Sequence, residues 1–135
     1  MSSEKAYAFS WIEDNKERFI GISDEIWRFA ELGLVEHKSS SMLIEELEKH
    51  GFKIQRGVAG MPTAFIASYG DSKPIIAIMG EYDALPGLSQ KKTPYKEPLK
   101  PGDPGHGCGH NVHGTSGLAA AIAVRYVMEK YGLKG

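Results

Sequence analysis

The chain has 135 residues, of which 41% are hydrophobic and 24% are charged, and its formal net charge is −1. This composition supports one compact globular domain and does not favour disorder. The near-neutral charge, without a basic block, argues against a protein built to bind nucleic acid or an anionic membrane surface. No apolar run is long enough to span a bilayer, and the N-terminus lacks the pattern of a secretory signal. The single cysteine excludes an internal disulfide, so we expect a cytoplasmic protein.

Two helices are predicted at the beginning of the chain. Apolar residues recur at helical spacing between Ala6 and Phe29, and Gly33 is placed to end the first helix. A second amphipathic pattern, which includes Leu43 and Leu47, ends at Lys49-His50-Gly51. A basic residue in the last turn and a glycine after it are typical of a helix C-terminus.

Three short apolar runs after the second helix are predicted to be strands. They cover residues 52–58, 63–69 and 75–79, and turn-forming residues separate them. The third run, Ile-Ile-Ala-Ile-Met, is continuously apolar. Such a run is typical of a strand that is covered on both faces in an α/β sheet.

A long loop and a last helix follow. Residues 82–109 contain five prolines and five glycines, and a loop of this length in a compact domain is usually functional or mobile. Residues from about 112 to 131 predict a helix that ends at Gly132. The order of elements predicts an α/β fold in which helices cover a mixed sheet. Ligands bind beyond the carboxyl ends of strands in open α/β sheets, so we expect the site in this loop.

The stretch HGCGHNVHG, residues 106–114, holds the only cysteine and three of the five histidines. Cys108 and His110 are separated by one residue, so both side chains can point at one ion. A thiolate and a neutral imidazole suit zinc or a similar divalent metal. The competing interpretation is a structural cysteine beside a histidine that caps the helix. A closed zinc site has four ligands, so the spacing alone leaves both interpretations open.

Two carboxylates, those of Glu81 and Asp83, follow directly on the third predicted strand. Each can bind a metal or accept the free ring N–H of a metal-bound histidine, which sets the tautomer of that ring. A solvated acidic turn is the simpler interpretation. However, both residues are predicted at the same end of the sheet as Cys108 and His110. His113 lies three residues after His110 on the same helix face, and we expect it to line the pocket.

Other chemistries have little support in the sequence. The third glycine of a dinucleotide-binding fingerprint is missing, and no phosphate-binding loop motif is present. Leu118 stands where a nucleophile elbow at 114–118 requires glycine. Cys108 and His110 make a poor nucleophile–base pair, because catalytic pairs of this kind normally come from distant parts of a chain. We interpret the remaining histidines as structural or loop residues: His37, His50 and His106.

Two longer motifs resemble those of a known family. GEYDALPGLSQ, residues 80–90, and PGHGCGHNVHG, residues 104–114, are similar to motifs of the metal-dependent aminoacylase/carboxypeptidase superfamily of amidohydrolases, and within it to the aminobenzoyl-glutamate hydrolase branch. The segments IWRFAELGLVEHKSSSMLIEELEKHGF and GMPTAFIASYG are similar to the same family, so the likeness runs from about residue 22 to residue 117.

The resemblance implies a zinc-peptidase-like catalytic domain with two zinc or manganese ions. In such a domain a metal-activated water hydrolyses the amide bond of an N-acyl amino acid or a dipeptide-like substrate such as p-aminobenzoyl-glutamate. The resemblance also implies that Cys108 and His110 are metal ligands and that Asp83 is the catalytic carboxylate that orients the site. Glu81 stands where many relatives have a ligating histidine. Glu81 and His113 are therefore candidates for a metal or pocket role.

Residues 1–135 are interpreted as the N-terminal part of such a catalytic domain. The family's later glutamate pair, its two further histidine ligands and its lid or dimerisation domain are not in this sequence. Full-length relatives are expected to be homo-oligomers or to pair with a second subunit. Three interpretations stay open: an amidohydrolase or a piece of one, a catalytically inactive α/β fragment with a partial metal-binding loop, and a thiol switch at Cys108.

Overall fold

The computed structural model describes residues 1–135 and contains three α-helices and two short β-strands. In chain order the elements are α1 (Ser3–Phe29), α2 (His37–Lys49), β1 (Lys53–Arg56), β2 (Phe65–Ser68) and α3 (His110–Tyr131). One turn of 3₁₀-helix, Val58–Gly60, lies between the strands. The three predicted helices are therefore confirmed.

The first helix begins and ends for identifiable reasons. The side chain of Ser2 accepts a hydrogen bond from the backbone N–H of Lys5, which caps the N-terminus. The helix ends at Ala30, whose φ of 43° is left-handed and whose N–H bonds the carbonyl of Ile26. The prediction that Gly33 ends this helix was three residues late, because an alanine adopts the conformation that usually belongs to glycine.

The second helix is capped by a residue that precedes it by several positions. Both carboxylate oxygens of Glu31 accept backbone N–H groups from its first turn, Lys38 at 3.0 Å and Ser39 at 2.8 Å. The hydroxyl of Ser39 also donates to Glu31 at 2.8 Å. Burial alone would raise the pKa of Glu31, but these hydrogen bonds and the charge of Lys38 lower it below its usual value. The helix ends as predicted, with Gly51 in a left-handed conformation.

The hydrophobic core lies between the three helices, and α1 and α3 form its largest contact. Ile26 and Ile122 are completely buried at its centre. The remaining core residues also come from all three helices: Phe19, Ile22, Leu43, Leu47, Leu118 and Ala119. The core positions of α1 and α2 are thus among the apolar positions that the helical pattern selected.

The strands form one antiparallel pair. Lys53 lies opposite Ser68 and Arg56 lies opposite Phe65. The first two strand predictions are confirmed, although each strand is shorter than its apolar run. Phe52, Ile54, Phe65 and Ala67 pack against the core cluster. The sheet therefore covers one side of the helices.

The third strand prediction was wrong. Residues 75–79 are not part of any sheet, and Ile75, Ile76 and Met79 are 84%, 80% and 82% exposed. A strand forms only where a neighbouring segment pairs with its backbone N–H and C=O groups. No segment of this chain makes backbone hydrogen bonds with residues 75–79. The chain is thus built of helices and a two-stranded antiparallel sheet, and the expected mixed sheet is not formed.

No helix in the structure combines the length and the apolar character that crossing a bilayer requires.

Candidate functional site

The site forms where the segment from Gly80 to Asp83 passes over the first turns of α3, with the two backbones very close together. A Cβ atom added to Gly114 would lie 2.7 Å from the carbonyl oxygen of Glu81, and one added to Gly80 would lie 3.1 Å from the Cα of Gly114. Only glycine allows two backbones to approach so closely. The two glycines therefore bring Glu81 and Asp83 to the beginning of α3.

Three further contacts hold this crossing in place. The backbone N–H of Ala84 donates to the carbonyl of Glu31 at 2.7 Å. The hydroxyl of Tyr82 donates to the carbonyl of Thr63 at 2.6 Å, and the Tyr82 ring stacks on Phe65. Burial raises the pKa of the Tyr82 phenol. Tyr82 thus fastens the backbone between the two carboxylates to the rest of the domain.

His110, the first residue of α3, lies between the two carboxylates. Its Nδ1 atom is 2.7 Å from Oδ1 of Asp83, and its Nε2 atom is 3.2 Å from Oε2 of Glu81. A carboxylate can only accept, so Nδ1–H donates to Asp83. In the neutral ring this leaves the lone pair on Nε2, the nitrogen that faces Glu81. The expected proximity of Asp83 to His110 is confirmed.

His113 also faces Glu81. Its Nδ1 atom lies 3.5 Å from the same Oε2 atom, and the rings of His110 and His113 are 6.4 Å apart. The side chain of Glu81 is mostly exposed and that of His113 is half exposed, whereas that of His110 is mostly buried. The structure therefore gathers four of the five predicted site residues into one cluster: Glu81, Asp83, His110 and His113.

Cys108 is the fifth predicted site residue, and the structure leaves its thiol free and exposed. Gly109 follows it with a left-handed φ of 75° and forms the N-cap of α3. No hydrogen bond to the thiol is formed. The metal roles predicted for Cys108 and His110 remain predictions.

The donor types fit zinc or manganese, but the chain alone does not assemble a complete site. Thiolate, imidazole and carboxylate are accepted ligands of zinc, and carboxylate also suits manganese. A carboxylate on Nδ1 is the usual support for a histidine that binds metal through Nε2. However, no group of three or more His, Cys, Asp and Glu side chains is arranged to hold an ion. The geometry shows one histidine ring that a carboxylate on Nδ1 orients.

Sequence reasoning missed the role of His106. The structure shows that its Nε2–H donates to the carbonyl of Ile26 at 3.0 Å, and its buried Nδ1 atom has no hydrogen-bond partner. Burial lowers the pKa of this ring. Asn111 similarly donates to Ser23, to the carbonyl at 3.3 Å and the hydroxyl at 3.0 Å. Both residues tie the loop and the start of α3 to α1, and no local sequence signal reveals such distant partners.

Comparison with known proteins identifies the family. The chain is 47% identical to one subunit of the p-aminobenzoyl-glutamate hydrolase of Escherichia coli, over 92% of the chain and 26% of that protein. It is 31% identical to thermostable carboxypeptidase 1 of Saccharolobus solfataricus, over 88% of the chain and 29% of that protein. It is 30% identical to the Xaa-Arg dipeptidase of Mus musculus, over 93% of the chain and 28% of that protein. The chain belongs to the amidohydrolase and carboxypeptidase family.

The chain spans about a quarter of the length of the curated relatives it matches. No family model matches it. Because the match to the Escherichia coli protein covers 92% of the chain, it includes the segment from Glu81 to His113. The motifs that carry the resemblance and the cluster around His110 are thus the same part of the amidohydrolase sequence.

Proposed function

We propose that this chain contributes part of the active site of a metal-dependent amidohydrolase with a zinc-peptidase-like catalytic domain. The observation that carries the proposal is the position of His110, with Asp83 on one ring nitrogen and Glu81 facing the other. The family to which the chain belongs supports the same reaction class, because the relatives are named as hydrolases, carboxypeptidases and dipeptidases.

Each residue of the cluster has a proposed task. Asp83 holds the His110 ring in the tautomer that presents Nε2, and Cys108 and His110 are the metal ligands. Glu81 and His113 line the site, and the task proposed for Glu81 is to bind metal or to accept a proton from water. Two zinc or manganese ions, when bound, supply a water whose pKa is lowered and polarise the amide carbonyl.

The substrate that fits this proposal is an N-acyl amino acid or a dipeptide-like amide such as p-aminobenzoyl-glutamate. That compound appears in the name of one relative, and other relatives are named for Xaa-Arg dipeptides and hippurate. The Escherichia coli relative is named as one subunit of its enzyme, so a second subunit is an expected partner. We propose a cytoplasmic enzyme with no nucleic-acid or membrane partner.

We further propose that the 135-residue chain binds metal weakly and does not hydrolyse substrate by itself. Two or three donors leave a zinc site short of its usual four, and no group of three is assembled for an ion. Weak metal binding and lack of activity in this chain are expected both if it is a catalytically inactive fragment and if it is part of an amidohydrolase. The two interpretations differ in whether the cluster at His110 belongs to a site that further ligands complete.

The metal proposal is tested by calorimetric titration of the purified chain with zinc and with manganese. We expect Cys108→Ser and His110→Ala each to remove most of the binding. His37→Ala is the matched control, because His37 is an exposed histidine of α2 outside the cluster, and it should bind like the wild type. Equal zinc affinity in the wild type and Cys108→Ser would contradict the assignment of the thiol.

The activity proposal is tested with p-aminobenzoyl-glutamate as the probe. Release of glutamate by the purified chain, with zinc or manganese added, is expected to stay at the level of the buffer. Metal-dependent turnover that disappears in Glu81→Gln would contradict the proposed inactivity. It would show instead that the cluster around His110 is sufficient for hydrolysis.

A further inference from the structure

Glu36 is a buried carboxylate at the start of α2 whose side chain does not cap that helix. It is the N-cap residue, yet its side chain makes no hydrogen bond to a backbone N–H of the first turn. Glu31 binds the N–H groups of Lys38 and Ser39 there instead. The helix dipole favours a negative charge at this position, but it does not determine where the side chain points. A buried carboxylate needs hydrogen-bond donors, so the direction of Glu36 must be explained by contacts outside its own helix.

The partner of Glu36 is Thr63, a buried residue that precedes β2. The Thr63 hydroxyl donates a hydrogen bond to Oε2 of Glu36. The carbonyl of Thr63 accepts two more hydrogen bonds, from the Ser40 hydroxyl at 2.8 Å and from the Tyr82 hydroxyl at 2.6 Å. Thr63 therefore joins the start of α2 to the residue that directly precedes Asp83.

The carboxylates of Glu36 and Asp83 also face the same glycine. A Cβ added to Gly33 would lie 3.9 Å from Oε1 of Glu36 and 3.8 Å from Oδ2 of Asp83. The other oxygen of Asp83, Oδ1, accepts the hydrogen bond from His110. Glu36 is thus a neighbour of the carboxylate that orients the His110 ring, although the two acidic residues are far apart in the chain.

We propose that Glu36 is a positioning residue of the candidate site, acting through Thr63 and Tyr82. Its carboxylate fixes the side chain of Thr63, and Thr63 in turn holds the Tyr82 hydroxyl. Because Tyr82 directly precedes Asp83, this series of hydrogen bonds sets the direction of the Asp83 carboxylate toward His110. The inference rests on the proposed function, since it assigns Glu36 to the support of a histidine that is proposed as a metal ligand.

A series of this kind can control the site because hydrogen bonds depend steeply on geometry. The bond between Asp83 and His110 is 2.7 Å long, and such a bond weakens as its distance and angle leave the favoured range. Without the anchor on Thr63, the peptide that joins Tyr82 to Asp83 is freer to rotate. The Asp83 carboxylate then turns away from the imidazole in a domain that is still folded.

The first test measures the tautomer of His110 by long-range ¹H–¹⁵N NMR, without added metal and at about pH 8.5, where an ordinary imidazole is neutral. The wild type should show mainly the Nδ1–H tautomer, which Asp83 stabilises. Tyr82→Phe and Thr63→Val each remove one hydroxyl of the series, and Glu36→Ala removes its acceptor. Each should lower the ratio of the Nδ1–H to the Nε2–H tautomer by about two- to ten-fold, which corresponds to the net effect of one hydrogen bond.

Conservative variants and a core variant separate positioning from general stability. Glu36→Gln keeps an oxygen that accepts from the Thr63 hydroxyl, and Thr63→Ser keeps the hydroxyl, so both should retain the wild-type tautomer ratio. Leu47→Val shortens a buried core side chain of the same helix, outside the series. It should lower the stability in urea unfolding and leave the tautomer ratio of His110 unchanged.

A double-mutant cycle tests whether the effect of Glu36 runs through Tyr82. In the Tyr82→Phe background the link to Asp83 is already broken. Adding Glu36→Ala should then change the His110 tautomer ratio much less than Glu36→Ala does in the wild type, because residues of one hydrogen-bond network are not additive. Fully additive effects would overturn the series, since Glu36 would then act on the site by another path.

Zinc titration separates this inference from the proposed function. Tyr82→Phe and Glu36→Ala should each lower zinc affinity by about three- to ten-fold, less than the loss expected when a directly supporting carboxylate is removed. If the wild type binds no zinc and the His110 ratio still responds as described, the proposed function fails and the positioning of His110 by Glu36 stands. If zinc binds through His110 and neither variant changes the tautomer ratio or the affinity, the positioning role is overturned and the proposed function stands.

Two further results of the NMR experiment would overturn the positioning role. One is a change in Leu47→Val as large as that in Glu36→Ala, which would make the effect a consequence of lost stability. The other is a Glu36→Gln ratio as low as that of Glu36→Ala, which would show that the hydrogen bond to Thr63 is not what orients the site.

Discussion

The Nδ1 atom of His110 lies 2.7 Å from Oδ1 of Asp83, and the two residues are 27 positions apart in the chain. The contact exists because Gly80 and Gly114 let the segment before Asp83 cross the start of α3 almost backbone to backbone. It orients the ring so that Nε2 faces Glu81. The candidate site is therefore an arrangement of tertiary contacts around one imidazole.

Asp83→Asn should lower the affinity of the chain for zinc by roughly ten- to a hundred-fold, because a supporting carboxylate orients a ligating histidine and raises its basicity. Isothermal titration calorimetry measures the change. Asp71→Asn removes an exposed carboxylate outside the cluster and serves as the control, with affinity like that of the wild type. If both variants bind zinc equally, Asp83 does not support the ligand.

Gly114→Ala should destabilise the domain by about 1–3 kcal/mol, the usual cost of overpacking a close contact. The added Cβ would meet the carbonyl oxygen of Glu81 at 2.7 Å, and both groups are backbone-anchored. Gly21→Ala is the matched control: it lies within α1 with nothing within 4 Å of the added Cβ, and it should stabilise by about 0.5–1 kcal/mol. Urea unfolding of the three proteins tests the difference in sign.

Gly114→Ala should also change the site itself, since the segment that carries Glu81 must move away from α3. We expect the NMR signals of the His110 ring to shift and zinc affinity to fall. Unchanged His110 signals in a destabilised variant would show that the crossing and the site are independent.

Glu31→Ala should destabilise the chain by about 1.5–3 kcal/mol, the range for hydrogen bonds to a charged group. The substitution leaves the N–H groups of Lys38 and Ser39 without their acceptor at the start of α2. Glu45→Ala removes an exposed carboxylate from the same helix and should change the free energy of unfolding by less than about 0.5 kcal/mol. Thermal unfolding with equal losses for both variants would contradict the capping role of Glu31.

The stability of the domain should fall as the pH falls below about 6.5, in part because of His50. Burial lowers the pKa of His50 in the folded chain, where Nδ1 lies 3.1 Å from the Tyr126 hydroxyl and the ring packs edge-on against Trp11. The unfolded chain takes up this proton near the ordinary pKa, and the folded chain takes it up only at lower pH. The charged groups around His50 act in both directions, Glu46 raising its pKa and Arg125 and Lys49 lowering it.

This pH dependence is measured by urea unfolding at about pH 7.5 and about pH 5.5, on either side of the ordinary histidine pKa. The difference between the two free energies of unfolding should be smaller in His50→Gln than in the wild type. His37→Gln replaces an exposed histidine and should keep the wild-type difference. Identical differences in all three proteins would exclude His50 as a contributor.

Local sequence patterns were sufficient to predict those features of the chain whose physical cause is itself local. Helical periodicity predicted α1, α2 and α3 because the residues that face the core recur at the spacing of the helix. Gly51 and Gly132 marked two of the helix ends, since both adopt left-handed conformations there. The chemical types in GEYDALPG and HGCGHNVHG identified the cluster and the family because donor chemistry is a property of the side chains themselves.

The same reasoning failed for residues 75–79, because a strand depends on its neighbours as much as on its own residues. Continuous apolar character shows that a segment tends to be covered, and it does not say which surface covers it. In this chain no other segment pairs with residues 75–79, so Ile75 and Met79 stay exposed. The apolar run is present in the sequence, but the formation of a sheet around it depends on other segments and cannot be predicted from the run alone.

By itself the sequence determined the helices and the family, and it selected candidate site residues whose roles remain predictions. Only the tertiary structure decided how those residues meet: Glu31 as the cap of α2, His106 bonded to Ile26, and His110 between Asp83 and Glu81. Each of these contacts joins residues that are separated along the chain. Such contacts depend on how α1, α3 and the loop pack together, and this packing is set by the shared core and by glycines that permit close approach.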